Sequence, residues 1–92
     1  MSVLPDHEID AALTGLTGWK RSNKTIQKTF EFPDFLTAMK FVNTVAEKAE
    51  AANHHPDIDV RYNKVTMGLT SHDSGGVTSR DIKMAKEINE VR

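Results

Sequence analysis

The sequence predicts an α+β fold: a single-layer, four-stranded antiparallel sheet with three helices packed on one face. Three observations predict it. Apolar residues fall on one face of extended runs, as Ile26, Phe30 and Phe32 do, and alternate strictly in Ile58, Val60, Tyr62 and again in Val65, Met67, Leu69. Other segments, the longest in the middle of the chain, repeat their apolar residues at helical spacing. The resulting order is helix, strand, strand, helix, strand, strand, helix, and strands joined by short turns pair antiparallel.

Each element has its own local signals. Asp6 can cap a first helix running to about Thr14, with Ile9, Ala12 and Leu13 apolar and Gly15 as a stop. "GLTGW" then reads as a turn into a strand near Trp19 to Arg21, and "SNK" at 22 to 24 as a second turn. In the following strand, "TIQKTFEF", Lys28 interrupts the apolar stripe, so one end is expected to be more exposed. Pro33 and Asp34 stop it and start the longest helix, about Phe35 to Ala52. Phe35, Met39, Val42, Ala46 and Ala49 give that helix its expected buried face. Leu36, Phe41 and Val45 widen the apolar surface, either as deep core or as a subunit contact. Asn63-Lys64 stands between the last two strands as a hairpin turn, and "SHDSGG" reads as a flexible loop. Thr78 caps the last helix with Asp81 as the capping-box acid, and Ile82, Ala85 and Ile88 form its buried face.

The bulk properties limit the function classes. A chain of 92 residues is too short for two cores, so residues 1–92 are expected to form one domain, and 38% hydrophobic content is enough for it to fold. The absence of cysteine removes disulfides and thiolate metal sites and fits a reducing compartment. A formal net charge of −1 argues against nucleic acid as the main partner. No apolar run approaches a membrane span, and "MSVLPDHEIDAAL" lacks the blocks of a signal peptide. The expected setting is cytoplasmic. Self-association would help a core of this modest size.

Placed on this outline, three of the four histidines converge. His54 and His55 follow the long helix and precede the third strand, while His72 follows the fourth. The hairpin runs out from Pro56 and back to Ser71, so its open ends meet and bring the imidazoles to one sheet edge. His7, in the first helical turn, reads as a solvated residue. Converging imidazoles permit zinc binding, acid–base catalysis, or nothing beyond solvation. Adjacent histidines rarely aim at one tetrahedral centre, and no carboxylate stands at ligand spacing, which disfavours zinc. Glu50, one helical turn before His54, can orient an imidazole or be a solvated helix residue. No other catalytic signature competes: "SGGVTS" lacks the lysine and spacing of a nucleotide-binding loop, and no serine sits in a nucleophile elbow. Acids and bases without a strong nucleophile favour proton transfer, isomerisation or elimination.

These residues carry a resemblance. Glu50, three residues, His54-His55-Pro56, five residues, Tyr62, nine residues, His72, eight residues, Asp81 resembles the signature of the pterin-4a-carbinolamine dehydratases. "GW" at 18 to 19, "FEFPDF" at 30 to 35, "YNKV" at 62 to 65, "TSHDSGG" at 70 to 76 and "RDI" at 80 to 82 extend it over nearly the whole chain. The resemblance implies dehydration of a 4a-hydroxytetrahydropterin to quinonoid dihydropterin, without metal, redox cofactor or covalent intermediate. That product recycles the pterin used by aromatic amino acid hydroxylases. It further implies that His54 and His72 are the acid–base pair and that His55 holds the pterin. Ser71, Asp73 and Asp81 would help bind substrate, with Glu50 in support and no metal site. Asp81 would combine a place at the site with its helix cap, while Tyr62 and Trp19 are expected in the core rather than at the site. Position 53 is asparagine, where members can carry aspartate. The expected assembly is a homodimer or homotetramer. Some animal members also bind a homeodomain transcription factor as dimerisation cofactors, so the rival reading is a protein-binding module that has kept the pocket.

Overall fold

The computed structural model describes residues 2–91, and its elements follow the expected order. These are α1 (Asp6–Leu13), β1 (Lys20–Ser22), β2 (Thr25–Glu31), α2 (Phe35–Ala52), β3 (Asp57–Arg61), β4 (Lys64–Leu69) and α3 (Ser79–Asn89). The strands form one antiparallel sheet in the order β1-β2-β4-β3. Because β4 is antiparallel to both neighbours, β2 and β3 run parallel on either side of it. The β2-α2-β3 segment is therefore a split β-α-β unit with β4 filling the gap.

Strand alternation decides which face the helices cover. Ile26, Val65, Met67 and Leu69 point inward and are fully buried against Ile9, Phe41, Val45, Met84 and Ile88. Thr25, Gln27, Thr29 and Glu31 point to the open face, where Thr29 and Thr66 join hydroxyls across paired positions at 2.8 Å. Phe30, Phe32 and Phe41 stack at centroid distances of 4.7 and 4.9 Å, locking α2 over β2.

The elements fall where expected, with several local differences. Asp6 does not cap α1: Pro5 is the N-cap, without a side-chain bond, and its carbonyl receives the N–H groups of Glu8 and Ile9. Asp6 and Asp10 instead pair with Arg21, Asp10 through both carboxylate oxygens. Thr14, not Gly15, ends this helix, and β1 begins one residue after the buried Trp19. Asp34 does cap α2, accepting from the Thr37 N–H at 2.8 Å.

The buried stripe of α2 is Ala38, Phe41, Val45 and Ala49. Phe35 and Ala46 were expected inside and are exposed, while Met39 and Val42 are half-buried. Phe41 and Val45 therefore belong to the core; only Leu36 of the widening residues stays outside, 73% exposed. An amphipathic helix with apolar residues on two adjacent stripes does not by itself say which one meets the sheet. The hairpin turn is Tyr62-Asn63, one residue earlier than expected, because Arg61 pairs with Lys64. Tyr62 takes φ +55° there and points outward, 68% exposed, so it is not a core residue. Residues 71–76 are not an open flexible loop: a Ser71–Gly76 bridge closes them, and the Ser71 carbonyl accepts N–H bonds from Ser74, Gly75 and Gly76. Among the described residues, no helix is long and apolar enough to cross a membrane.

Candidate active site at the open end of the hairpin

Two local devices deliver the histidines to one place. At the end of α2, Asn53 adopts the left-handed conformation (φ +51°, ψ +43°), and the His54 N–H closes back on the Ala49 carbonyl. Asparagine tolerates this conformation better than other non-glycine residues, and the turn swings His54 and His55 off the helix axis. Across the sheet, β3 and β4 begin and end side by side, with Asp57 opposite Gly68. The chain beyond Leu69 therefore brings His72 back to the same end. His54, His55 and His72 all line one open cavity of about 420 Å³, together with Asn53, Thr70, Ser71, Asp73 and Arg80.

The three imidazoles are held differently. His54 is buried, 8% exposed, with Nε2 at 2.5 Å from Asp81 Oδ1. A carboxylate only accepts, so Nε2 carries the hydrogen and Nδ1 is left without a hydrogen-bond partner among the described residues. Asp81 is itself fully buried. Its other oxygen accepts from Ser71 Oγ at 2.9 Å and from the Thr78 N–H at 2.8 Å. The second of these bonds is half of the α3 capping box, so one carboxylate caps the helix and orients the histidine. Ser71 Oγ and Thr78 Oγ1 lie 2.9 Å apart and complete the network. Burying this anion is costly, and the bonds converging on it offset that cost.

His55 is exposed and bonded through Nε2 to Glu50, also exposed. Glu50 thus serves His55 rather than His54. The His72 ring is exposed and takes part in no hydrogen bond or ion pair within the described residues. Asp73 is exposed at the rim, 3.9 Å from Arg80. Ser71 lines the cavity although its hydroxyl is turned into the network below. Asp81 does not line it at all: it lies beneath, in contact with His54 instead of the open space. Reading the sequence missed Thr78 as part of the site, and Arg80, which stands at the cavity wall and donates to the Asn53 carbonyl at 3.2 Å. The capping pattern of Thr78 was visible; nothing local says that Arg80 reaches back to the end of α2.

Among the described residues, no group of three histidines or carboxylates could hold a metal ion. A second open space, about 460 Å³, lies on the uncovered sheet face, lined by groups such as Ser22, Thr25, Gln27, Asp57 and Asp59. It is slightly larger but has no imidazole. Three of the chain's four imidazoles thus border the histidine cavity.

A family profile described as pterin 4 alpha carbinolamine dehydratase matches residues 2–91. The chain belongs to this family. A relative from Koribacter versatilis that bears the pterin-4-alpha-carbinolamine dehydratase name is 59% identical, over 96% of this chain and 94% of its own length. Another, from Roseiflexus sp., is 52% identical over 96% and 95%. The crystal structure of a protein from Brucella melitensis, described as a transcriptional coactivator/pterin dehydratase, superposes with a TM-score of 0.91 at 39% identity, covering 96% of each chain. A pterin dehydratase-like protein described as a RuBisCO assembly factor of the alpha-carboxysome shares the fold, with a TM-score of 0.63 at 18% identity. Dehydratases are hydro-lyases, and family membership sets this chain in that class.

Proposed function

We propose that the protein removes water from a 4a-hydroxytetrahydropterin by histidine acid–base catalysis, giving quinonoid dihydropterin in the recycling of a hydroxylase pterin cofactor. The observation that carries this reading is the pairing of unlike imidazoles in one cavity: His54, buried and fixed by Asp81, and His72, exposed and unbonded. Elimination of the 4a-hydroxyl needs an acid to protonate the leaving oxygen and a base to take a ring proton. A lone pair on the ring nitrogen then expels water, so no metal or redox step is required. His54 works through Nδ1, and the Asp81 carboxylate stabilises the imidazolium formed when it takes a proton. His72 supplies the partner group from the other side of the cavity. His55, braced by Glu50, holds the ring, and Asp73 offers its exposed carboxylate to ring N–H donors. Ser71 and Asp81 act from below by fixing His54.

Steady-state kinetics on synthetic carbinolamine, run in the presence of a strong chelator, tests the assignment. His54→Ala and His72→Ala should each lower kcat by about 10² to 10⁴ with little change in KM. His55→Ala should raise KM more than it lowers kcat. The His54→Ala, His72→Ala double variant should lose nearly all activity; near-wild-type rates there, or activity abolished by chelation and restored by zinc, would overturn the proposal.

The second reading, a protein-binding module, is favoured by one observation besides the description of the Brucella melitensis protein: Phe35 and Leu36 stand exposed together at the start of α2. On that reading a partner is bound with equal strength by wild type and by the histidine double variant. Covering the same residues by a second copy would give the homodimer or homotetramer we also propose. A monomer by light scattering at micromolar concentration would exclude it.

A further inference from the structure

We propose that Arg80 is a positioning residue for this site, clamping together the two chain segments that carry its histidines. The inference rests on the dehydratase reading for its effect on rate, but its geometry stands on contacts alone. Arg80 and Asp81 are consecutive residues in the first turn of α3, and each bridges the same two segments. Asp81 does so from beneath, joining His54 to Ser71. Arg80 does so at the cavity wall. Its Nη2 donates to the Asn53 carbonyl at 3.2 Å, and its Nη1 lies 3.9 Å from Asp73 Oδ2. One segment therefore ends in His54 and His55, and the other contains His72.

The charge makes sense only in these terms. A cation in the first turn of a helix sits at the positive end of the helix dipole, where it is disfavoured. Helix stability therefore does not explain Arg80. The end of α2 does: the Asn53 carbonyl lies just past a helix C-terminus, where unpaired carbonyls gather negative charge. Arg80 joins the negative end of α2 to the acidic rim of the 71–76 loop. The guanidinium reaches both segments at once, by a hydrogen bond through Nη2 and an ion pair through Nη1, and the single ammonium of lysine lacks that fork. Arg80 and His54 also border a smaller cavity, about 160 Å³, lined besides by residues of α3 such as Lys83 and Glu87. Loosening Arg80 thus frees one wall of the site and lets the spacing between His54 and His72 drift.

Two measurements on Arg80→Met and Arg80→Lys test the clamp. In dehydration of synthetic carbinolamine, Arg80→Met should lower kcat/KM about 10- to 100-fold, mostly through kcat, because misplacement by about 1 Å is enough for such a loss. Arg80→Lys should recover only part of it. In amide hydrogen exchange, which needs no substrate, Arg80→Met should speed exchange both at the His54 N–H, bonded to Ala49, and at the Gly75 N–H, bonded to Ser71. Wild-type kcat in Arg80→Met, full recovery with lysine, or faster exchange at one segment alone would each overturn the proposal. A wild-type protein that does not dehydrate carbinolamine would instead sink the dehydratase reading, and the exchange result would still decide the clamp.

Discussion

The two ends of α3 each hold a polar cluster, and they differ in what they leave unbonded. At the first turn, the Asp81 carboxylate gathers His54, Ser71 and the Thr78 N–H. At the last residue, the Asn89 side-chain carbonyl gathers the Trp19 indole N–H at 2.9 Å and the Lys28 ammonium at 2.9 Å, and its amide reaches the Thr17 carbonyl. Both clusters tie the helix to distant parts of the chain. In the Asn89 cluster Lys28 also donates to the Thr17 carbonyl at 2.7 Å and lies over the Phe30 ring. The Asp81 cluster leaves one imidazole nitrogen uncommitted beside a cavity. A buried polar network becomes a candidate site when it retains an unspent proton-transfer group; otherwise it is fastening.

Breaking the two clusters in parallel tests that distinction, and Asp81 should give the larger effect. Asp81→Asn keeps the shape but replaces an acceptor by an amide that can donate, so the His54 tautomer is no longer fixed. We expect kcat to fall about 10² to 10⁴, as for loss of a positioned acid–base group. Asp81→Ala should in addition destabilise the fold by about 1–3 kcal/mol for each buried donor it leaves without an acceptor, the His54 and Thr78 N–H groups first. Wild-type kcat in Asp81→Asn would make this cluster fastening too.

At the other end, Asn89→Ala should cost about 1–3 kcal/mol of stability, since it leaves the buried Trp19 N–H and the half-buried Lys28 short of an acceptor. Chemical denaturation measures the cost, and kcat should not change. A rate loss matching that of Asp81→Asn would erase the contrast between the two ends.

How much of this was legible beforehand follows the range of each signal. Short-range signals were readable: Asp34 as the start of α2, Thr78 and Asp81 as a capping box, and the alternation of Val65, Met67 and Leu69. The meeting of the histidines was readable because a hairpin returns to where it starts, so the topology alone joins residues 54, 55 and 72. What was not readable was mostly reach. Lys28 looked like a break in an apolar stripe; its stem lies along Gly18, and its ammonium finds acceptors 11 and 61 residues away in sequence. A side chain at Gly18, where φ is +87°, would strike that stem. Glu50 was one helical turn from His54, yet the left-handed turn at Asn53 hands it His55 instead. Periodicity named α2 correctly and its buried stripe in part: Ala49 is buried and Met39 and Val42 half-buried, while Phe35 and Ala46 face outward, because both stripes are apolar and only the sheet chooses.

The smallest expected effect comes from a third carboxylate, which separates capping from site chemistry. Asp34 and Asp81 each accept an N–H at the start of a helix, but Asp34 is exposed and touches no imidazole. Its bonds to Thr37, chiefly from the backbone N–H, hold its pKa below the usual aspartate value. A carboxyl with a depressed folded-state pKa adds stability that is fully present above its unfolded pKa of about 3.9 and is lost as pH falls through the folded value. The difference in thermal midpoint between wild type and Asp34→Asn should therefore be constant near neutrality and shrink on acidification below about pH 4. Dehydratase kcat should be the same in both proteins at neutral pH. If Asp34→Asn slowed turnover as Asp81→Asn does, the rate loss at Asp81 would be a consequence of disturbed helix capping, and the bond to His54 would lose its claim to a catalytic purpose.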